Sequence, residues 1–483
     1  MYKYILIPAI LLLALATPIQ PVHAQSYHWY KDIESLSGGT YGITHDDQYL
    51  YAAGSLASGS YRDLFVAKID PLSGQFQWIR SLNPSPIYNE YIHDIDYLDG
   101  YLYIVGCSDS FSGDRSTEII IARINTIGAM DWLVRISQTT NDCAYSVEAT
   151  ANGIYVAGKI GVNNDDILVM KLGSDGSIIW AKAYGGGSSD FGYGIEYLNG
   201  YLYVVGKTSS FGGYYEGFIM KLDPQDGSVV WSKKFGGLSG DDVAYGVTGN
   251  DTYLFITGYT YSYGQGYSDG FLFKVDENGN FIWFITMGEG GYDFTNQTIV
   301  VGNKLFVTGH TKSFNENGKY NYTVYELDKD GNLISARTMG SSADEKMYSA
   351  TLYNSLIYIG GNSNLRSPYF YDPTILMYSP SLGELSWTGG EGWESLTASD
   401  CSPTISSIAL EDSGFNGITL TVTSLTPSQD SVTDYSFSPI SPVIHTAVDN
   451  TEPQPVPENP MIPAIMIAWI LLAIALGKRA ARP

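Results

Sequence analysis

The sequence predicts an all-β fold made of seven copies of one unit, and three observations support this. An aromatic-rich run closes on a glycine seven times, at Gly54, Gly106, Gly158, Gly206, Gly258, Gly309 and Gly361. The steps between these glycines are 52, 52, 48, 52, 51 and 52 residues. No stretch between Gln25 and Trp393 shows sustained helical periodicity. Such a regular period indicates a repeat architecture, in which each copy buries its apolar faces against its neighbours.

Each copy divides into four short strands, as the fourth copy illustrates. Its four runs rich in β-branched and aromatic residues are 192–198, 201–205, 217–222 and 228–231. Asn199-Gly200 and Asp226-Gly227 lie in two of the connections, and such pairs supply the positive φ of tight hairpins. Seven copies of four strands predict a seven-bladed β-propeller over residues 25–393.

A tryptophan marks the fourth strand of most copies and bears on how the ring closes. It recurs at Trp78, Trp132, Trp180, Trp231, Trp283 and Trp387, and Ser335 replaces it in copy six. One further match, Trp29, precedes the first copy. We expect the strand around Trp29 to complete the last blade, with the strand around Trp387 competing for that edge or leading outward.

The repeat resembles a known family. Gly270-Phe-Leu-Phe-Lys-Val-Asp276, followed by Gly279 and Ile282-Trp283, is similar to the SBBP-type seven-bladed β-propeller repeat, as is the equivalent run from Gly217 to Trp231. The resemblance covers about residues 27–393. It implies a secreted or surface repeat protein and adds fold and location more than activity.

The first 24 residues resemble a secretory signal peptide. Lys3 precedes an almost wholly apolar run, and Val22-His-Ala24 offers a cleavage site before Gln25. An uncleaved membrane anchor is the alternative.

The C-terminal end predicts a membrane anchor. Residues 461–477 form an apolar segment slightly shorter than the roughly 20 residues that span a bilayer comfortably, and a basic tail follows at 478–483. The basic residues should stay cytoplasmic, which leaves the propeller outside. Val456-Pro-Glu-Asn-Pro460 with this helix and tail resembles the sorting signals of exosortase- or archaeosortase-type enzymes. A permanent anchor, a processed signal and a buried core helix remain alternatives.

Two further segments lie between ring and anchor. Residues 394–445 are rich in Ser and Thr and predict a small β-rich module or an extended segment. Residues 446–460 are rich in Pro and Thr and predict a stalk. The whole chain is therefore expected to be a single-pass protein of the cell surface.

The amino-acid composition limits the classes of partner and the covalent modifications that we expect. The chain of 483 residues carries a formal net charge of −24, which argues against binding to nucleic acid or to anionic lipid. Three cysteines are present, and in an exported propeller Cys107 and Cys143 lie on one face at neighbouring blades. We expect them to form a disulfide, with two free thiols as the alternative and Cys401 unpaired. Asn250 and Asn321 are candidate N-glycosylation sites.

One end of the ring, which we call the loop face, is predicted to carry the function. It holds the loops between strands two and three and the connections between blades. These loops are rich in Tyr, Ser, Gly and Asn, the mixture that favours binding. The ligand-binding candidates are Phe111, Tyr214, Tyr215, Tyr261, Tyr263, Tyr267, Tyr320, Tyr369 and Tyr371. Abundant tyrosine without a ligand is the alternative.

Acidic residues give a second pattern. Glu90, Asp142, Asp190, Asp242, Asp293 and Glu345 stand at the entry to six inner strands. They could bind a cation such as calcium loosely, but acceptors for turn N–H groups are the favoured interpretation. The predicted centres of the inner strands are Gly42, Asp94, Ser146, Gly194, Gly246, Gln297 and Ser349. Asp94 is the exception in this series of mostly small residues, and with the adjacent His93 it is the functional candidate in the channel.

No motif predicts catalysis, a resident cofactor or a metal site. The histidines form no HExxH motif or close pair, and GxSxG and GxxxxGK[ST] sequences are absent. We therefore expect a non-catalytic binding or adhesion module for extracellular glycans or surface proteins. A self-assembling structural protein of the envelope and a polysaccharide lyase or hydrolase are the two alternatives.

Overall fold

The computed structural model describes most of the predicted ring and parts of the segment after it. The described residues are 29–33, 38–58, 61–82, 89–109, 116–137, 141–161, 164–211, 213–237, 239–250, 252–314, 318–340, 342–364, 371–379, 397–400, 404–408, 416–417, 421–424, 428–431, 438–439 and 444–448. Every regular element among them is a β-strand. The predicted signal peptide, transmembrane helix and basic tail lie outside these residues, as does Cys401. Within the described part of the chain, no helix has the length and apolarity needed to cross a membrane.

The strands are numbered along the chain. A first strand, β1 (Trp29–Ile33), precedes the blades. Blade one holds β2 (Gly38–His45), β3 (Leu50–Ser58), β4 (Tyr61–Ile69) and β5 (Phe76–Leu82); blade two holds β6 (Glu90–Leu98), β7 (Tyr101–Ser108), β8 (Glu118–Asn125) and β9 (Met130–Ser137). Blade three holds β10 (Cys143–Thr150), β11 (Gly153–Gly161), β12 (Asp165–Leu172) and β13 (Ile178–Gly185); blade four holds β14 (Asp190–Leu198), β15 (Tyr201–Thr208), β16 (Glu216–Leu222) and β17 (Val229–Phe235).

The remaining strands complete the ring and continue beyond it. Blade five holds β18 (Asp242–Gly249), β19 (Tyr253–Thr260), β20 (Asp269–Asp276) and β21 (Phe281–Gly288); blade six holds β22 (Asp293–Val301), β23 (Lys304–Thr311), β24 (Asn321–Asp328) and β25 (Leu333–Gly340). Blade seven begins with β26 (Glu345–Tyr353), β27 (Leu356–Ser363) and β28 (Asp372–Tyr378). The last seven strands are β29 (Thr397–Asp400), β30 (Thr404–Ile408), β31 (Asn416–Gly417), β32 (Thr421–Ser424), β33 (Ser428–Ser431), β34 (Ser438–Pro439) and β35 (Ile444–Val448).

The pairing of these strands confirms the seven-bladed β-propeller of four-stranded blades. Each blade is an antiparallel sheet in sequence order from the channel outward. The fourth strand of blade seven is β1, which pairs with β28 through Tyr30 and Leu376, so the predicted closure by the N-terminal strand is also confirmed. Seven apolar clusters, one at each junction of neighbouring blades, form the core of the described residues.

The segment after the ring adds a fifth strand to every blade. Strands β29 to β34 pair with the fourth strands of blades six, five, four, three, two and one in that order, and β35 pairs with β1 of blade seven. The chain thus passes once around the outside of the ring, against the order of the blades, as a belt. Each described belt strand finds its hydrogen-bonding partner on a blade edge. The small β-rich module or extended segment at 394–445 stays a prediction.

Candidate functional site

A β-bulge in the first strand of each blade builds the centre of the channel. The pairing of strands one and two skips a single residue in every blade, for example between Gly192 and Gly194 in β14. A bulge re-aims the side chain of its extra residue. The seven skipped residues are Tyr41, His93, Tyr145, Tyr193, Tyr245, Asn296 and Tyr348. All seven line the channel, and we call them the channel ring.

The recurring glycine makes this bulge sterically feasible. A Cβ at Gly206 would lie 1.8 Å from the carbonyl oxygen of Phe191, on the strand that bulges. The same short approach, 2.3 Å or less, recurs at all seven glycines that define the repeat. The glycine period of the sequence is therefore also the period of the bulge, and through it of the channel ring.

Aromatic contacts run around the channel ring. Ring centroids lie 4.8 Å apart for Tyr348 and Tyr41, 6.1 Å for Tyr41 and His93, 5.0 Å for His93 and Tyr145, 5.1 Å for Tyr145 and Tyr193, and 5.5 Å for Tyr193 and Tyr245. Burial raises the pKa of Tyr193 and lowers the pKa of His93 to about 4, so the tyrosines and the imidazole are neutral near pH 7. The ring is an uncharged aromatic constriction that divides the channel.

The mouth cavity lies on the loop-face side of the channel ring. Its volume is about 490 Å³, and its lining consists of the channel ring with His310 and Lys346. This volume falls within the roughly 300–1,000 Å³ of small-molecule sites. Aromatic rings continue from the cavity toward the rim, because His310 lies 4.9 Å from Phe294 and 5.2 Å from Tyr320 between centroids.

Lysines face aromatic rings around this mouth. Lys207 Nζ lies 4.1 Å from the ring centroid of Tyr215 and 5.8 Å from that of Tyr193. Lys312 Nζ and Lys346 Nζ lie 4.3 and 5.1 Å from the centroid of Tyr320. Cation–π contacts of this kind stabilise a partly desolvated ammonium group. The mouth thus combines lysines with aromatic rings in a strongly acidic chain.

The inner cavity, on the other side of the channel ring, is acidic. It measures about 270 Å³, and Asp94, Asp96, Glu148 and Glu196 are among its lining residues. Burial raises the pKa of Asp94 and of Glu196 to about 7 and also raises the pKa of Asp96 and Glu148. Carboxyl groups therefore cluster on this side of the channel ring, whereas lysines lie around the mouth.

The channel carboxylates connect neighbouring blades. Asp94 Oδ2 accepts hydrogen bonds from Ser146 Oγ at 3.1 Å and from the backbone N–H of Val147 at 3.0 Å, in the next blade. Asp96 Oδ2 accepts one from the N–H of Ala149 at 2.8 Å. Gln297 Oε1 accepts one from the N–H of Ala350 at 2.8 Å in the same manner. Asp94, a channel candidate from the sequence, therefore joins blade two to blade three.

The six blade-entry acids are all buried. Asp190 Oδ2 accepts hydrogen bonds from the N–H of Gly186 at 2.9 Å and from Ser210 Oγ at 2.7 Å, and Asp242 does the same with Gly237 and Ser262. These contacts support the interpretation as turn acceptors. Where the structure describes the chain, the one group of three or more His, Cys, Asp or Glu ligand atoms within 4.8 Å of one another is His93, Cys107 and Cys143. Loosely bound calcium stays an untested prediction.

Cys107 and Cys143 form a disulfide between blade two and blade three. Their Cα atoms lie 4.9 Å apart, and His93 Nε2 lies 3.8 Å from Cys107 Sγ. With both sulfurs in the disulfide, this trio does not provide the thiolates that a metal ion would require. The disulfide instead holds blades two and three together at the mouth, next to His93 of the channel ring.

The structure places the loop-face candidates in different surroundings. Tyr215, Tyr320 and Tyr371 lie against the mouth lysines. Tyr261 and Tyr267 lie on the rim of blade five, 41% and 64% exposed, where Tyr267 stacks on Tyr292 with a centroid distance of 5.0 Å.

Two candidates stand apart from the mouth, and two cannot be placed. Tyr263 turns inward, because its hydroxyl donates to the carbonyl of Gly236 at 2.9 Å and its ring packs on Phe284. Tyr214 is 52% exposed and does not line the mouth cavity. Phe111 and Tyr369 lie outside the described residues.

The glycosylation candidates differ in accessibility. Asn321 is 9% exposed at the start of β24, so its amide is a poor acceptor for a bulky glycan in the folded chain. Asn250 is half-buried, and its Oδ1 accepts hydrogen bonds from the N–H groups of Thr252 at 3.0 Å and Tyr253 at 2.8 Å. Neither of these hydrogen bonds involves Asn250 Nδ2, the atom that N-glycosylation would modify.

Of the channel ring, only His93 is among the candidates predicted from the sequence. The predicted centres of the inner strands form the neighbouring column, one residue later. A signal was present, since aligning the copies on their glycines places Tyr41, Tyr145, Tyr193, Tyr245 and Tyr348 in a single column. Lys312 and Lys346 carry no such signal, because each occurs in one copy only, whereas Lys207 has Lys159 at the equivalent position of copy three.

Comparisons with known proteins give distant structural likenesses and no family. No protein-family model matches the chain. No curated protein sequence matches it either. Among solved structures, Chaetomium thermophilum Sqt1 bound to the N-terminus of the ribosomal protein L10 has a TM-score of 0.41 at 10% identity, covering 72% of this chain and 98% of that one. The polysaccharide lyase Uly1 has a TM-score of 0.45 at 9% identity, covering 72% and 91%. Neither likeness carries functional information at this level.

Proposed function

We propose that this protein binds an extracellular saccharide in the mouth cavity, at the cell surface and without chemical turnover. The observation that carries the proposal is the channel ring, in which seven bulges bring five tyrosines, a histidine and an asparagine to the floor of one cavity. Tyrosines combine a flat apolar face with a hydroxyl, which suits both the C–H face and the hydroxyl groups of a sugar.

The size and polarity of the mouth cavity favour a sugar over a protein surface. A concave site of about 490 Å³ encloses a small ring-shaped group, whereas protein partners are usually bound through larger and flatter patches. The aromatic path through His310 to Tyr320 would extend contact beyond one sugar unit. A terminal segment of a glycan chain is therefore the best-fitting occupant.

The acid–base character of the mouth favours binding over catalysis. A general base works best with a pKa near the working pH. Burial moves the pKa of His310 to about 3 and of His93 to about 4, and raises the pKa of Tyr245 to about 12, so these groups are poorly matched to that role. Among the carboxyls with a pKa near 7, Asp94 lies beyond the channel ring and hydrogen-bonds to the next blade. Asp269, at the start of β20, does not line the mouth cavity.

Location at the cell surface is part of the proposal. It rests on the signal-like residues 1–24, on the apolar segment 461–477 and on the Cys107–Cys143 disulfide, which persists in oxidising compartments. The resemblance to SBBP-type repeats agrees with an exported protein.

A glycan array probed with the full chain tests this proposal. We expect binding to a defined set of saccharides, lost in Tyr193→Ala and kept in the matched variant Tyr214→Ala, whose side chain is 52% exposed and not part of the mouth cavity. Thermal unfolding of both variants establishes that each is folded before the array is compared.

The remaining outcomes separate the alternatives. Release of oligosaccharide during incubation would replace binding by a lyase or hydrolase activity. Assembly of the chain into ordered oligomers without saccharide binding would favour a structural envelope protein. Equal loss of binding in Tyr193→Ala and Tyr214→Ala would place the site elsewhere on the loop face.

A further inference from the structure

We propose that the saccharide is acidic, and that Lys312 and Lys346, which both lie over the ring of Tyr320, bind its carboxylate or sulfate group. This inference rests on the proposed function and names the substrate class of the same mouth. The juxtaposition of two ammonium groups on one tyrosine ring is the observation that carries it.

Local topology brings the two lysines together. Lys312 directly follows β23, Tyr320 directly precedes β24, and Lys346 lies near the start of β26 in the next blade. All three positions are at the loop-face ends of their strands, where blade six meets blade seven. Lys346 also lines the mouth cavity, so the pair stands at the boundary between the cavity and the rim.

Neither lysine has a carboxylate partner within the described residues. Ion pairs within 4.0 Å involve Lys159, Lys234, Lys304 and Lys319 among the lysines, but not Lys312 or Lys346. The neighbouring acid is Asp344, whose oxygens accept from Lys319 Nζ at 3.2 Å and from the N–H of Tyr320 at 3.0 Å. Asp344 thus hydrogen-bonds to other donors and acts on Lys312 and Lys346 through its charge alone.

Leaving two like charges together is costly unless something compensates them. Burial lowers the pKa of Lys346, and the nearby Lys312 charge lowers it further, while the charge of Asp344 opposes both effects. The chain has 50 acidic and 26 basic residues, so two neighbouring lysines that form no ion pair with the described residues run against its overall composition. An anionic ligand group would relieve this repulsion and form charge-assisted hydrogen bonds.

The chemistry of the pair also separates acidic from neutral sugars. An acidic sugar would place its ring on the aromatic floor and its anionic group on the two ammonium groups at the rim. A carboxylate and a sulfate share this recognition, since each offers several acceptor oxygens to point-like ammonium donors. Neutral sugars would make the aromatic contacts alone.

The test is calorimetric titration of the full chain with three matched oligosaccharides, one neutral, one containing uronate and one sulfated. We expect an acidic form to bind at least about tenfold more tightly than the neutral form, and the difference to shrink as salt rises. Lys346→Met and Lys312→Met should each remove most of that difference. Lys329→Met is the matched control, because it removes one charge from the same blade at the opposite end of the ring.

The outcomes distinguish this inference from the function on which it rests. Equal affinity for neutral and acidic forms, unchanged in Lys346→Met, would overturn the inference and leave saccharide binding intact. Loss of affinity in Lys329→Met as large as in Lys346→Met would also overturn it, because a general charge effect would then explain the preference. Failure of every saccharide to bind would overturn both.

Discussion

Lys221 and Trp231 donate hydrogen bonds to the same acceptor, the backbone carbonyl of Glu277 in the next blade. The distances are 3.1 Å from Lys221 Nζ and 3.3 Å from Trp231 Nε1. Equivalent pairs are Lys68 and Trp78 on Thr126, Arg123 and Trp132 on Ser174, and Lys171 and Trp180 on Pro224. The fourth-strand tryptophan that marks the repeat therefore joins each of these blades to the next, through the turn between strands three and four.

The fifth blade offers a natural comparison for this contact. Trp283 Nε1 is buried and has no acceptor among the described residues, and Lys274 alone reaches the equivalent carbonyl, of Lys329, at 2.7 Å. We predict that Trp231→Phe lowers the free energy of unfolding by at least about 1 kcal/mol more than Trp283→Phe does, because only the first loses a hydrogen bond. Chemical denaturation of the two variants measures the difference. Equal losses would show that the tryptophans act through ring packing alone.

The recurring glycine gives a second prediction. Alanine at Gly206 would place its Cβ 1.8 Å from the carbonyl oxygen of Phe191, so the bulge in β14 could form only after a backbone shift. We expect Gly206→Ala to lose more than about 3 kcal/mol of stability or to fail to fold. Gly213→Ala is the control, since no atom lies within 4 Å of its Cβ position and its loss should stay within about 0.5 kcal/mol. A mild effect at Gly206 would contradict the coupling between glycine and bulge.

These relationships explain which parts of the structure could be predicted. The ring and its closure by β1 follow from local patterns that repeat along the sequence, such as the glycine at Gly206 and the tryptophan at Trp29. Which residues form the channel ring depends on a register shift between paired strands. The only trace of that shift in the sequence is a column of tyrosines. Tyr263 resembles its neighbours Tyr261 and Tyr267 in sequence, but the carbonyl of Gly236 draws its hydroxyl inward.

The belt was less predictable than the ring for a physical reason. Its strands contain only two to five residues each, too few for an alternating pattern to identify. Their partners are the outer edges of blades that are distant in sequence, for example Arg337 opposite Asp400. Nothing in a Ser- and Thr-rich segment specifies such a partner locally.

The disulfide gives a third prediction, about stability. Cys107 and Cys143 are 36 residues apart, and closing a loop of that size is worth about 2–4 kcal/mol in restricting the unfolded chain. The double variant Cys107→Ser with Cys143→Ser should lose that amount in chemical denaturation. A reducing agent should lower the stability of the natural chain similarly and leave the double variant unchanged. A reductant effect that persists in the double variant would place the sensitive group elsewhere.

The acidic inner cavity predicts that stability falls as pH rises. Burial holds the pKa of Glu196 at about 7, above its ordinary 4.5, so the folded chain keeps a proton that the unfolded chain has released. The stabilisation is complete below about pH 4.5 and is lost as pH rises through about 7. Glu196→Gln should keep the hydrogen bond from the N–H of Gly249 and gain on the order of 2 kcal/mol relative to the natural chain at pH 8.

The control for this prediction is Glu289→Gln, which removes the same charge outside the inner cavity. Unfolding free energies at pH 4.5 and pH 8 should show a smaller difference for Glu196→Gln than for the natural chain, and an unchanged difference for Glu289→Gln. If both variants flatten the pH profile equally, repulsion across the whole acidic chain, rather than the inner cavity, governs its pH dependence.

Because the belt covers the outer edge of every blade, we predict that the ring without it is less stable and aggregates. Strands β29 to β34 cover the fourth strand of six blades, and β35 covers β1. Without them, every blade would present an open edge of unpaired N–H and C=O groups, which is a template for pairing with another chain. A chain ending at residue 396 should therefore unfold at lower temperature and aggregate at concentrations where the full chain stays dispersed. Light scattering during thermal unfolding compares the two.

A third chain ending at residue 449, which keeps the belt, should behave like the full chain. If it aggregates like the shorter one, the segment beyond 449, and not the belt, protects the ring.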